Sequence, residues 1–156
     1  RITATKKHLA QFIVSTYKQT PVVAKRIVDA AYQESVRTDL SPLLILAIIA
    51  QESSFRPKAE SGYGAQGLMQ VVARIHSKEV AKLRHPAKLW HPESNIATGS
   101  GILKQYLKSA GGNLDLALTR YSGNATSYAA RVRGHWAQLR TAISLPPKAE
   151  TPRRNA

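Results

Sequence analysis

No cysteine occurs in the chain, which excludes a disulfide framework and a thiolate metal site alike and leaves the redox compartment open. Acidic residues are scarce: nine Asp and Glu stand against 23 Lys and Arg, for a formal charge of +14. That balance points to polyanionic surroundings, whether nucleic acid, an anionic membrane surface or an acidic wall polymer, with a merely solvated basic surface as the plainer alternative. The charges gather at Arg1, Lys6 and Lys7 and again at Lys148, Arg153 and Arg154, and thin out between, without the dense block of a nucleic-acid arm. Two Phe, two Trp and six Tyr, mostly on apolar stripes, offer no platform for stacking bases, so no nucleic-acid partner is expected. Long hydrophobic runs are missing too. None approaches the roughly 20 residues of a membrane span, and none is expected to cross a bilayer. The chain opens at Arg1 with neither Met nor a signal peptide, which reads as a processed or trimmed form.

What remains is a chain of 156 residues, 43% hydrophobic, suited to one domain with one core. Nearly every periodic segment is helical. Leu9, Phe12, Ile13 and Tyr17 form a stripe that Thr20-Pro21 ends while capping the next helix, on which Val23, Ile27, Ala30 and Ala31 face inward. Ser41-Pro42 is a second cap and proline, and it launches the apolar run Leu43 to Ala50 that leads to Glu52. Arg56-Pro57 stops that helix. Residues 58–67 hold three glycines and read as a loop with a short hairpin. Helices are expected over 74–83, 93–109 with a Gly111-Gly112 cap, and 114–121. A last helix carries Tyr128, Val132, Trp136 and Leu139, before a proline-rich tail from Leu145.

Several chemistries can be set aside. Gly62-Tyr63-Gly64-Ala65-Gln66-Gly67 spells GxGxxG, but a helix and Pro57 precede it instead of a strand, and no acid stands about 20 residues on, so no dinucleotide cofactor is expected. The five histidines form no HExxH or other ligand spacing, so no metal is expected. A nucleophilic serine lacks its GxSxG elbow. Of the nine acids, Glu52 alone combines an apolar helix face with a glycine-rich loop just after it. Leu44, Ile45, Ile48 and Ile49 share its face. A carboxyl emerging from such a wall keeps its proton, which suits a general acid near neutral pH. A buried glutamate hydrogen-bonded for fold specificity is the alternative.

Glu52-Ser53 closing a helix, Ser61 with Gly64-Ala65 before Gly67-Leu68-Met69-Gln70, Asn95-Ile96 with Gly99, Leu116-Ala117 before Tyr121, and the late Tyr128 follow one another in order. Over about residues 40–135 this pattern resembles the soluble lytic transglycosylases. The resemblance implies an all-α, lysozyme-like catalytic domain related to goose-type lysozyme, with a small loop or hairpin after the catalytic helix. It implies cleavage of the β-1,4 bond between N-acetylmuramic acid and N-acetylglucosamine with a 1,6-anhydro end, no cofactor, peptidoglycan glycan strands as partner, and a periplasmic, cell-envelope or secreted location. Residues 1–39 become accessory helices, 40–144 the catalytic core and 145–156 a flexible tail. Glu52 becomes acid and then base, Tyr121 the tyrosine that contacts it and holds its rotamer, and Ser61, Met69, Gln70 and Tyr128 the groove lining. A lysozyme-type muramidase on the same fold and a non-catalytic peptidoglycan-binding module are the competing expectations. Two departures stand out: Ala73 where the family carries proline, and Ser122-Gly123-Asn124 where Asn-Ala-Gly is usual.

Overall fold

A computed structural model of the chain describes residues 1–83 and 86–144. Its elements run α1 (Ile2–Tyr17), α2 (Pro21–Thr38), α3 (Pro42–Ser53), β1 (Ala65–Gln66), β2 (Val71–Val72), α4 (Ser77–Ala81), a 3-10 turn (Pro86–Trp90), α5 (Pro92–Ser109), α6 (Leu114–Tyr121) and α7 (Tyr128–Ser144). Proline opens α2, α3 and α5, where its missing N–H costs nothing. Thr20 caps α2 by accepting from the Val23 N–H at 3.3 Å, and Asn113 caps α6 by accepting from Leu116 at 3.1 Å. Ser41, expected to cap α3, makes no such bond.

Everything is arranged around α3. Leu43 through Ala50 are buried on every side of the helix, so the single stripe read from the sequence understates it: an all-apolar helix is soluble only when wrapped. α2 and α7 supply the wrapping, and α1 packs on both of them. α5 lies against α2 and α6. None of the described helices is long and apolar enough to cross a membrane.

The chain leaves α3 by a sharp bend. Ser54 and Phe55 both adopt left-handed backbone, at φ 51° and 61°, conformations that cost a residue with a Cβ of order 1–3 kcal/mol each. What holds them is tertiary: the Phe55 ring is fully buried and packs edge-on to Tyr17 at 4.6 Å, and its carbonyl accepts from the Gln19 amide at 2.8 Å.

Two expectations need revision. Helix was expected over 74–83, but α4 spans only Ser77–Ala81, because β2 and a turn closed by Ile75 and His76 donating to the Val72 carbonyl use up the preceding residues. The 3-10 turn at Pro86–Trp90 had no periodic signal in so short a piece. The tail expected from 145 onward lies outside the described residues.

Candidate active site

β1 and β2 pair antiparallel, Ala65 opposite Val72 and Gln66 opposite Val71. Their tight turn, Gly67 to Gln70, is stapled from below by Asn95 on α5. Fully buried, Asn95 accepts from the Met69 N–H at 2.8 Å and donates to the carbonyls of Gln66 at 2.8 Å and Leu89 at 2.9 Å. Gly67, at φ 75°, passes so close that an added Cβ would stand 2.3 Å from the Asn95 amide nitrogen and 2.4 Å from the Leu89 carbonyl oxygen. These contacts explain the glycine and the asparagine as parts of one clamp.

The hairpin, the end of α3, α6 and the start of α7 enclose a cleft of about 410 Å³, with Glu52 in its wall. Burial raises the Glu52 pKa from 4.5 to about 7, while the nearby Tyr128 hydroxyl and the Arg131 charge pull it the other way. Glu52 is the single acid among the described residues that line the cleft. Tyr128 sits deep beside it. Its hydroxyl is close enough to favour the Glu52 anion, yet it meets no partner in good hydrogen-bond geometry; the contact is long or askew, as unliganded sites often are. Burial, and then the neighbouring Glu52, raise the pKa of both Tyr121 and Tyr128, so both phenols stay protonated and able to donate. The two rings stack at 6.4 Å.

The expected site residues divide. Glu52, Ser61, Gln70, Tyr121 and Tyr128 all line the cleft. Ser61 also shapes the loop, its hydroxyl accepting from the N–H groups of Tyr63 at 3.3 Å and Ala65 at 3.1 Å. Gln70 spends its amide on the carbonyls of Ala59 and Gly67. Tyr121, expected to hold Glu52 directly, donates instead to the Met69 carbonyl at 2.7 Å, and the Glu52 charge nearby helps keep its phenol protonated. Met69 is a correction: its side chain is fully buried, with its sulfur 3.8 Å from the Ser100 hydroxyl and Gly99 beneath it, and it does not line the groove. Ser122 lines the cleft too, but its hydroxyl is committed to the backbone. Its hydroxyl donates to the Thr119 carbonyl at 2.7 Å and accepts from the Ala125 N–H at 3.0 Å, closing the turn before α7.

Sequence reasoning missed Gln51. It lines the cleft beside Glu52 and shares a 3.2 Å hydrogen bond between its amide oxygen and the His135 Nε2, whose Nδ1 is buried without a partner. An Nε2–H tautomer donates to the Gln51 oxygen and leaves only a bare acceptor at Nδ1. The signal that could have found it is weak: a histidine one helical turn past Arg131 on α7.

The chain matches the model of the family described as "Transglycosylase SLT domain" over residues 29–135. It belongs to that family. The match begins inside α2, so α1 and the first part of α2 precede the portion shared with the family. The membrane-bound lytic murein transglycosylases C of Yersinia pestis and Yersinia pseudotuberculosis are 36% identical over 118 residues, 72% of this chain and 31% of theirs. The chain thus spans about a third of the length of these relatives. The 70 kDa soluble lytic transglycosylase of Escherichia coli has a similar fold, at TM-score 0.60 and 22% identity over 86% of this chain and 25% of that one. An inactive Glu-to-Gln mutant of the lytic transglycosylase Slt of Pseudomonas aeruginosa aligns at TM-score 0.58 and 26% identity, over 74% of this chain and 22% of that one. The residues that carried the resemblance fall into two groups in this structure. Gly67, Asn95, Gly99 and Met69 lock the hairpin to α5, while Glu52 and Tyr128 face the cleft.

Proposed function

We propose that this domain is a peptidoglycan lytic transglycosylase, cleaving between N-acetylmuramic acid and N-acetylglucosamine and closing a 1,6-anhydro ring on the muramic product. The observation that carries the proposal is the solitary carboxyl. Hydrolases that retain or invert need two acids across the bond. Glu52 lines its cleft without another among the described residues, and its pKa of about 7 leaves it substantially protonated where the enzyme would work.

In this mechanism protonated Glu52 gives its proton to the glycosidic oxygen as the bond to the muramic C1 breaks, and the N-acetylglucosamine leaves with a free 4-hydroxyl. The Glu52 carboxylate then takes the proton of the muramic C6 hydroxyl as that oxygen bonds to C1. Glu52 ends as it began, and no water is consumed. Tyr128 and Arg131, which favour the anion, serve the second half. Such a substrate places the enzyme in the cell envelope, periplasmic or secreted, and the +14 charge holds it on an insoluble, carboxylate-bearing polymer.

The test is mass spectrometry of the products released from purified sacculi, with Glu52→Gln as control. Anhydro muropeptides, lighter by one water than reducing-end products, are expected from the wild type and none from the variant. Reducing-end products would assign the domain to hydrolysis. Undiminished release by Glu52→Gln would remove Glu52 from the chemistry.

A further inference from the structure

The cleft carries two arginines on the side formed by α6, the following turn and α7: Arg120, half-buried, and Arg131, exposed. Elsewhere the arginines near acids are paired, Arg26 with Glu93, Arg37 with Glu34 and Arg133 with Asp115. Among the described residues Arg120 and Arg131 take part in no ion pair. Each meets a single hydroxyl, Arg120 that of Ser109 at 3.4 Å and Arg131 that of Ser127 at 2.6 Å. A guanidinium has five N–H donors in a planar fork that matches a carboxylate, so most of this donor capacity faces the cleft and solvent unclaimed. His76 is the third titratable base in the lining, and burial lowers its pKa, so near neutrality it adds no competing cation. The lone acid, Glu52, holds its proton over much of the working range and does not neutralise the arginines.

We infer that Arg120 and Arg131 form a carboxylate-binding subsite that engages the stem peptides carried by the glycan, so that the domain selects peptide-bearing strands with ionised stems. This rests on the transglycosylase reading. A glycan backbone bearing peptides offers no anion of its own, because each lactyl carboxyl is tied up in the amide bond to its stem. The carboxylates within reach of the cleft are then those of the peptide side chains and termini. Bidentate, charge-assisted bonds would fix the stem's direction and so the register of the sugar bond over Glu52.

The test compares product release per enzyme from three wall preparations: native sacculi, sacculi whose free carboxyls have been amidated with carbodiimide and ammonia, and glycan stripped of its stems by an amidase. Wild type, Arg120→Gln, Arg131→Gln and the double variant are assayed on each. The wild type should favour native over amidated walls, and the double variant should reduce that ratio by about fivefold, the most an exposed ion pair commonly yields. Arg131 also biases Glu52, but a loss of that origin is common to all three substrates and cancels in the ratio. Equal wild-type rates on native and amidated walls, or equal losses by the variants on both, would overturn the subsite. An arginine dependence that persists at full size on stripped glycan would assign it to the lactyl carboxylate and overturn the stem assignment. Release from no preparation at all would bring down the transglycosylase reading, and the subsite with it.

Discussion

The Tyr121 hydroxyl donates to the Met69 carbonyl at 2.7 Å, and so ties α6 to the hairpin turn across the floor of the cleft. Tyr128, the ring stacked on it, offers its hydroxyl to the Glu52 carboxyl instead. Two adjacent tyrosines thus divide support of the loop from support of the acid. Tyr121→Phe leaves a carbonyl without its partner and should lower stability by about 1–2 kcal/mol, with activity falling because Gln70 and its neighbours shift. Tyr128→Phe breaks no well-formed bond, so stability should hardly move, while Glu52 should titrate at higher pH. Thermal unfolding and pH–rate profiles of the two variants check the division.

The pH dependence of cleavage should show one descending limb near pH 7, where Glu52 loses the proton it must donate. A second carboxylate would add an ascending limb and give a bell. Initial rates of muropeptide release between pH 4 and 9, corrected for sacculus binding, distinguish the two shapes.

Stability should show the same ionisation with a fixed sign. The folded-state pKa of Glu52 is raised from 4.5 to about 7, so its contribution is fully present below the unfolded value and is lost as pH rises through the folded one. Glu52→Gln removes that ionisation. Relative to wild type the variant should gain up to about 3 kcal/mol between pH 4.5 and 7 and no more beyond. Denaturant unfolding at pH 4 and pH 8 measures the difference. At the same time the variant should lose at least about a hundredfold in cleavage rate, the usual minimum contribution of a general acid.

Gly99→Ala should destabilise the domain by about 1–3 kcal/mol, since the new methyl would stand 2.6 Å from the Met69 sulfur and 2.7 Å from its Cβ. Trimming the obstacle, as in Gly99→Ala with Met69→Ala, should recover part of the loss. If the double variant is worse by the sum of the two, Met69 and Gly99 are not packing partners. Melting temperatures of the three proteins decide it.

His135→Phe should release Gln51 from the bond that orients it. A rise in KM for sacculus fragments with little change in melting temperature is expected, and His135→Gln, which keeps a donor at a similar reach, should restore part of it. Equal KM for all three would show that Gln51 needs no such guide.

How much of this was legible beforehand depended on range. Helix identity was local: the stripes of α1 and α2, the prolines at 21 and 42 and the paired glycines at 111 and 112 are written in consecutive residues, and each sits where expected. Glu52 stood out because an apolar run delivers it to a loop. Side-chain direction was less accessible. Nothing near Met69 announces that its side chain turns inward while its carbonyl serves Tyr121; that depends on Gly99, thirty residues away, having no Cβ. The Gln51–His135 pair spans α3 and α7 and has no spacing rule to betray it. Likewise α4 was overdrawn because helix periodicity cannot see a two-residue strand with its turn.

The bend at Ser54 and Phe55 has an electrical side. By ending α3 one residue past Glu52, it seats the acid on the last turn, where unpaired carbonyls concentrate the negative pole of the helix. That pole adds to burial in resisting ionisation. Arg131, arriving from α7, supplies the opposing field. The carboxyl therefore sits between a fixed dipole that favours its acid form and a cation on α7 that favours its base form, one field for each of the two proton transfers proposed for it.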